Sequence, residues 1–133
     1  MSTLTVSNIS DSTTTVGTSY VVNGSAKAWG FIVGWHASGP TIDGSNNLSS
    51  VTDNGTGNHT INYTNSMSNT NYAYHLTTSQ LRFTSTSTNH RSHGYPVVSS
   101  SSITIQTIFV TSNGVGTASD IGDINLTLFG DLA

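Results

Sequence analysis

Two histidines stand three residues apart in the polar segment His90-Arg91-Ser92-His93. Imidazole nitrogens bind transition metals and hydrogen-bond to hydroxyl groups, so this segment has the residue types best suited to chemistry. A closed metal site needs about four ligands, and two per chain are too few unless symmetric copies bring several histidines together. The sequence therefore predicts no metal and no other cofactor.

Carboxylates are scarce, because the chain has six aspartates and no glutamate. Four of the aspartates lie in Asp53-Asn54-Gly55, Asp120-Ile121-Gly122-Asp123 and Asp43-Gly44, where Asp stands close to Gly or Asn as it does in turns. No segment has the ligand spacing of an EF-hand loop, and there is no Gly-x-Ser-x-Gly elbow and no cysteine. Glycoside hydrolysis needs two placed carboxylates. We predict that the chain is not an enzyme.

Aromatic residues offer a different kind of site, because aromatic rings stack on the apolar faces of sugars while Asn and His bond to sugar hydroxyls. A sugar-binding face is one hypothesis for four aromatic residues, Trp35, Tyr72, Tyr74 and Tyr95. The alternative is that aromatic residues of the strands simply pack in the core, and for Trp29 and Phe31 we predict the core. The residues that remain as candidates for receptor-facing loops are Trp35, His36, His90, Arg91, His93 and Tyr95.

Composition favours strands over helices. Of the 133 residues 44 are Ser or Thr, whose side chains compete with the helix for backbone hydrogen bonds, whereas only 7% are charged. Apolar residues make up 34%, so a single domain of this length has a thin core that assembly can complete. We predict one all-β domain over residues 24–133, preceded by an extended lead-in or attachment segment over residues 1–23.

Charge and the first residues narrow the possible partners. The formal net charge is −3 with only three cations, so no basic stripe exists to follow a nucleic-acid backbone. The first residues lack the basic and apolar regions of a signal peptide, and no apolar run is long enough to span a bilayer. We therefore expect synthesis in the cytosol, no membrane insertion and no nucleic-acid partner.

The segment 26–35 predicts a central strand, because large and small residues alternate along it. The large face carries Trp29, Phe31, Val33 and Trp35, and it is predicted to cover the core. The small face carries Ala28, Gly30, Ile32 and Gly34, and it is predicted to let another backbone or subunit approach closely.

The remaining strands follow from alternating apolar residues and turn signals. Asn54-Gly55 predicts a tight hairpin turn with positive φ angles, flanked by strands over 48–52 and around Ile61. Further strands are expected over 72–76, 81–83, 103–110 and 124–128, with a loop over 36–47 and a loop or edge strand over 85–102. This spacing predicts an antiparallel β-sandwich or jelly roll, with a β-helix as the alternative.

Two blocks of the sequence carry a family resemblance. They are Val22-Asn23-Gly24-Ser25-Ala26-Lys27-Ala28-Trp29 and the run over residues 49–74 that contains Asn54-Gly55. Together they resemble a domain of bacteriophage tail fibre and other virion surface proteins. The opening Met-Ser-Thr-Leu and the ending Leu128-Phe129-Gly130-Asp131 look like short members that consist of this domain alone.

The resemblance implies a non-enzymatic homotrimer located in the virion after synthesis in the host cytoplasm. Two functions follow as hypotheses: a fibre or spike that attaches to the host surface, and a capsid decoration or head-fibre protein. A third hypothesis, which rests on the aromatic residues and not on the resemblance, is a free carbohydrate-binding module or lectin unconnected with a virion. The implied partners are copies of the chain, other virion proteins bound through the N-terminal segment, and host surface glycans. No receptor-binding residue follows from the resemblance.

Overall fold

A computed structural model describes residues 5–34, 39–78, 90–94, 96–110, 114–120 and 122–133. Strands dominate, as the sequence predicts, and one short helix lies near the N-terminus. Within the described ranges no helix is long and apolar enough to cross a bilayer. The elements are β1(Asn8–Ser10), β2(Thr15–Gly17), α1(Thr18–Gly24), β3(Ala26–Val33), β4(Thr41–Asn46), β5(Leu48–Asp53), β6(Asn58–Tyr63), β7(Ala73–Thr78), β8(His90–His93), β9(Val97–Val98), β10(Ser102–Val110), β11(Gly116–Ala118) and β12(Asp123–Phe129).

The domain is an antiparallel β-sandwich, which confirms the predicted fold class. One sheet has the order β4-β3-β12-β7. The other has the path β11-β10-β6-β5. Along β10, strand β8 pairs opposite β11, and β9 pairs opposite β6. Strand β4 contacts β5, and β7 contacts β8, so the edges of the two sheets lie over one another. The core between the sheets includes Ile32 and Leu126 from one sheet and Ile61, Ile103 and Ile105 from the other.

Strand β3 turns its small face, not its large face, toward the core. Ala28 and Ile32 are fully buried, whereas Trp29 is 47% exposed and Phe31 is half-buried. The prediction that Trp29 and Phe31 are core residues is therefore wrong. The reason is steric: Leu48 packs so closely over Gly30 that a Cβ atom at this position would overlap the Leu48 Cδ1 atom. Only the small face leaves room for that side chain.

Residues 41–46 form the edge strand β4, although a loop was predicted over 36–47. The turn signal at Asp43-Gly44 is a β-bulge instead, because Phe31 pairs with Gly44 and Ile32 pairs with Ile42, which leaves Asp43 unmatched. The bulge explains how turn-forming residues occur inside a strand. The predicted strand at Leu81 and Phe83 lies outside the described residues.

The hairpin predicted at Asn54-Gly55 joins β5 to β6, and its positive φ angles match the prediction at Gly55 but not at Asn54. They occur at Gly55 (φ 111°) and Gly57 (φ 67°). The Asp53 side chain accepts a hydrogen bond from the Gly55 amide at 2.8 Å, and the Asn54 amide donates to the Asn58 carbonyl at 2.9 Å. The sequence thus places the hairpin correctly, while the turn is longer than two residues.

Strands β6, β10 and β12 bury the apolar sets that their alternation predicts. Ile103 and Ile105 of β10, and Ile124, Leu126 and Leu128 of β12, are all buried. The segment over 85–102 supplies two edge strands, β8 and β9, which is one of the two alternatives that the sequence left open. Edge strands suit this segment because Pro96 cannot donate a backbone hydrogen bond to a central ladder.

Tyr63 and Tyr72 form a buried hydrogen-bonded pair at one end of the core. Their hydroxyl oxygens lie 2.9 Å apart, and the Tyr72 hydroxyl also donates to the Ser99 carbonyl oxygen at 2.9 Å. The rings meet edge to face with centroids 6.2 Å apart. The pair connects β6 and the segment before β7 to the loop before β10.

The folded protein is expected to lose stability above about pH 10 because of this pair. Desolvation raises the pKa of Tyr63 and of Tyr72 above the ordinary value. The folded pair therefore keeps its protons where the unfolded tyrosines release theirs. The stability it contributes is complete below about pH 10 and declines above it, by up to about 1.4 kcal/mol per pH unit for each ring.

Urea unfolding at about pH 8 and about pH 11 measures this loss. The double variant Tyr63→Phe/Tyr72→Phe is the control, since it has no phenol to titrate at either position. Its stability should change less between the two pH values than that of the wild type. An equal change in both proteins would contradict the assignment.

The N-terminal segment has more regular structure than an extended lead-in. Strands β1 and β2 pair as a small separate sheet, and α1 follows at once. The Asp11 carboxylate accepts hydrogen bonds from the Thr14 amide at 2.7 Å and from Thr13, and the Thr14 bond is the main cause of its lowered pKa. Lys27 on β3 joins the segment to the sandwich through the Val22 carbonyl oxygen.

Exposed apolar side chains are concentrated in this N-terminal segment. None of its described side chains is buried, and Ile9, Val16 and Val21 line a shallow apolar groove. Tyr20 is the most exposed of its large hydrophobic residues, at 77%. The segment therefore offers apolar surface that packing against the sandwich does not cover.

Candidate binding surfaces

The six residues predicted to face a receptor fall in two groups. Trp35, His36 and Tyr95 lie outside the described residues. His90, Arg91 and His93 belong to β8, where they pair with Val110, Phe109 and Thr107 of β10. The histidine segment is thus an edge strand, and positions three apart on a strand fall on opposite faces of the sheet. Strand geometry therefore does not bring positions 90 and 93 together within one chain.

A shallow cleft opens where the edges of the two sheets meet. It is lined by Tyr74 of β7, His93 at the end of β8, and the following residues Gly94 and Pro96, and its volume is about 250 Å³. We call it the Tyr74–His93 cleft. Its described lining mixes an aromatic ring, an imidazole and a pyrrolidine ring. The cleft unites two residues that the sequence marked separately, Tyr74 from the sugar-binding hypothesis and His93 from the receptor-facing set.

The register of two strands positions these side chains. Tyr74 pairs with Leu128, whose side chain is buried between the sheets, so Tyr74 occupies an inner-face position. Because β7 is an edge strand, this position lies at the rim of the sandwich, and Tyr74 is 39% exposed. On the other side, the Gly94 amide donates to the Gln106 carbonyl oxygen at 2.7 Å, which fixes the backbone just beyond β8.

A second surface lies on the outer face of the β4-β3-β12-β7 sheet. Its apolar members are Trp29, Phe31 and Val33 of β3 and Phe129 of β12, which we call the outer aromatic stripe. Trp29 and Phe129 are 47% and 37% exposed. The stripe follows a central strand, so it runs across the middle of the sheet. Sequence reasoning missed it because both faces of β3 are apolar, and only the packing of Leu48 selects between them.

The residues beside the stripe are short and uncharged for most of its length. Trp29 pairs with Thr127, which pairs with His75, while Phe31 pairs with Asn125, which pairs with Thr77. Large exposed apolar groups that are flanked by polar residues are typical of protein interaction surfaces. The stripe therefore has the composition of an interface.

The aspartates that the sequence assigned to turns have structural partners. Asp53 caps the β5–β6 hairpin, and the Asp120 carboxylate accepts a hydrogen bond from the Gly57 amide at 2.7 Å. Within the described part of the chain, no group of three His, Cys, Asp or Glu residues is arranged to hold a metal ion. These aspartates are thus explained by the fold.

One histidine is buried in the core and belongs to neither surface. His59 of β6 is 1% exposed, and no described group forms a hydrogen bond with either of its ring nitrogens. Burying a polar group without a partner costs free energy. His59 is therefore a destabilising feature of the core, and it is not accessible to a ligand from the surface.

Comparison of the sequence with models of known protein families, with curated proteins and with solved structures gave no match. The two surfaces and the resemblance of residues 22–29 and 49–74 are therefore the observations that bear on function.

Proposed function

We propose that this chain is a non-enzymatic bacteriophage virion protein that assembles as a homotrimeric fibre or spike and attaches to the host surface. The virion setting rests on the resemblance of residues 22–29 and 49–74 to fibre and surface proteins of phages. The observation that carries the assembly argument is the outer aromatic stripe. Location on the capsid, as a decoration or head fibre, is the alternative within the same class.

The stripe supports association of copies of the chain for energetic reasons. When a partner covers a half-exposed Trp on a sheet face, more apolar surface is removed from water than for any other side chain. This burial favours association. Interface centres are enriched in aromatic residues and depleted of charge, and the stripe has both properties. A thin sandwich with a low apolar content also gains stability from assembly.

The N-terminal segment suits a role in attachment to other virion proteins. Its apolar groove at Ile9, Val16 and Val21 is open. It connects to the sandwich near Lys27, at one end of β3, so a partner bound there would leave the two sheets uncovered. We assign contact with other virion proteins to this segment and contact between copies of the chain to the stripe.

Replacing Trp29 with serine is expected to dissociate the trimer without unfolding the sandwich. An aromatic hot spot contributes about 2 kcal/mol to an interface, which is about a 30-fold weaker association. The Trp29 side chain is not part of the core, so the circular dichroism spectrum should not change. Sedimentation equilibrium of wild type and variant measures the effect.

The matched control is Val97→Ser, which removes an exposed apolar side chain from β9 on the other sheet. It should leave the oligomeric state unchanged. A wild-type protein that sediments as a stable monomer would contradict the assembly proposal outright.

The virion setting has its own test. Antibody labelling of intact phage particles in the electron microscope should place the protein on the tail or on the capsid. Tail labelling would support the fibre or spike, and shell labelling would support the decoration protein. Absence from purified particles would defeat both.

A carbohydrate-binding module is the second candidate function, and one observation favours it. The Tyr74–His93 cleft combines an exposed aromatic ring with hydrogen-bonding groups, as sugar-binding sites do. This candidate does not require a virion, and it shares with the first candidate the need for a ligand on a cell surface.

A further inference from the structure

We propose that acid separates copies of this chain that are associated through the outer aromatic stripe, and that His75 of β7 is the residue that responds to pH. The inference rests on the proposed function, because it concerns the regulation of the same interface. Copies associate while the His75 imidazole is neutral, and they separate when it carries a proton.

His75 lies on the same outer face of the sheet as the stripe. It is exposed and pairs with Thr127, whereas the next residue, Leu76, is buried between the sheets. Phe129 of the stripe pairs with Ala73, which makes His75 the diagonal neighbour of Phe129 across β12 and β7. Diagonal positions are about 7–8 Å apart, within reach of aromatic side chains. His75 is therefore adjacent to a member of the stripe.

An interface centred on the stripe is large enough to cover His75. A standard interface buries about 800 Å² on each partner, so it extends on the order of 14 Å from its centre. Trp29, Thr127 and His75 form one row across β3, β12 and β7. Since neighbouring strands are about 4.8 Å apart, His75 is about 10 Å from Trp29 along this row. A partner seated on the stripe therefore removes His75 from water.

Burial of His75 by a partner favours the neutral imidazole, because an apolar surface does not replace the hydration of a charge. An ordinary imidazole binds its proton near about pH 6.5. Below this pH the separated chain binds a proton that the assembled chain excludes. Association therefore keeps its full strength above about pH 6.5 and weakens as the pH falls, by up to about tenfold per pH unit for each imidazole.

The groups around His75 offer no carboxylate that would stabilise its proton. The β12 positions opposite and diagonal to it are Thr127, Asn125 and Phe129. Asp123 is four residues from Thr127, about 13 Å along the strand and beyond the distance of about 8 Å over which charges act at physiological salt. In the described ranges, the other charged or titratable residues of β7, of the elements beside it and of the stripe strand are Tyr74 on β7, Asp131 beyond the end of β12, His90, Arg91 and His93 on β8, and Lys27 on β3.

Sedimentation equilibrium of the wild-type protein at about pH 7.5 and about pH 5.5 tests the proposal. The association constant of three chains should be about 1,000-fold lower at the acid pH, which is about tenfold for each imidazole. An equal constant at the two pH values would overturn the proposal. A larger constant at the acid pH would also overturn it, since the interface would then bind the protonated imidazole.

Variants assign the effect to one histidine. His75→Gln keeps a polar side chain without a group that titrates in this range, so its association constant should change less than about tenfold between the two pH values. The matched control is His93→Gln, which removes an imidazole from β8 on the other sheet and should keep the pH dependence of the wild type. A wild-type pH dependence in His75→Gln would overturn the assignment.

Circular dichroism separates dissociation from unfolding. The wild-type spectrum should be the same at the two pH values, because His75 is exposed in the separate chain and its protonation leaves the core unchanged. Loss of strand structure at the acid pH would place the effect in the fold and would overturn the proposal.

The same measurements distinguish this inference from the proposed function. A protein that is trimeric with equal association constants at the two pH values would retain its proposed function and lose the role of His75. A protein that is monomeric at both would lose the assembly part of the proposed function, and the role of His75 with it.

Discussion

The variant Gly57→Ala is expected to be about 4 kcal/mol less stable than the wild type. Gly57 has φ 67°, a left-handed conformation that costs a residue with a Cβ atom about 1–2 kcal/mol. The larger part of the loss is steric. A Cβ atom at this position would lie 2.5 Å from the Thr107 carbonyl oxygen and 2.7 Å from the Ser119 amide nitrogen. Both are backbone atoms, so relief requires the strands to separate.

That separation would break a set of hydrogen bonds that join three segments. The Gly57 carbonyl accepts from the Thr107 amide at 2.7 Å, and the Gly57 amide donates to Asp120 at 2.7 Å. The Thr107 hydroxyl in turn donates to the Ser119 carbonyl at 2.7 Å. Because Thr107 also pairs with His93, damage at Gly57 should reach the Tyr74–His93 cleft through β10.

Urea unfolding measures the loss, and Gly114→Ala is the matched control. Gly114 has a similar φ of 76°, but no atom of the described residues, apart from its chain neighbours, lies within 4 Å of a Cβ built there. It should therefore cost only the conformational part, about 1–2 kcal/mol. If the two variants lost equal stability, the steric explanation would be wrong.

The variant Gly30→Ala is expected to lose about 3 kcal/mol, because it overpacks the centre of the core. A Cβ atom here would overlap the Leu48 Cδ1 atom, while the Leu48 Cγ atom would lie 3.5 Å away. Leu48 is buried among the inner residues of both sheets, so its side chain has little room to turn.

A second substitution tests this cause directly. Leu48→Val removes the overlapping atom, and it should cost about 1 kcal/mol in the wild type. In the Gly30→Ala background the same change should relieve the clash, so that the double variant is more stable than Gly30→Ala alone. The coupling energy from the double-mutant cycle should be about 1–3 kcal/mol. Additive effects would mean that Gly30 and Leu48 do not compete for the same space.

Much of the fold could be predicted from local signals in the sequence. Strict alternation of apolar residues predicted strands β10 and β12 and the residues that they bury. Ile103 and Ile105 of β10 are buried, and so are Ile124, Leu126 and Leu128 of β12. The β5–β6 hairpin was placed correctly, because Asp53 and Gly55 satisfy local backbone demands that do not depend on the rest of the chain. These features depend on residues close in sequence.

Candidate sites were harder to predict, because they depend on residues that are distant in sequence. The sequence indicates Tyr74 as a residue of a sugar-binding face and His93 as a receptor-facing residue. Nothing in the sequence indicates that β7 and β8 lie over one another at the rim of the sandwich. The sequence predicts no functional role for Gly94 and Pro96, because backbone geometry alone explains a glycine and a proline near an edge strand.

The sequence by itself determined the class of fold, the positions of the main strands and the scarcity of charge, since composition and alternation act through local preferences. Only the tertiary structure decided which face of β3 is buried. Both faces are apolar, so hydrophobicity does not discriminate between them, and the choice depends on the fit of Leu48 over Gly30. That steric fit left Trp29 and Phe31 on the outer face, and the stacking of sheet edges created the cleft.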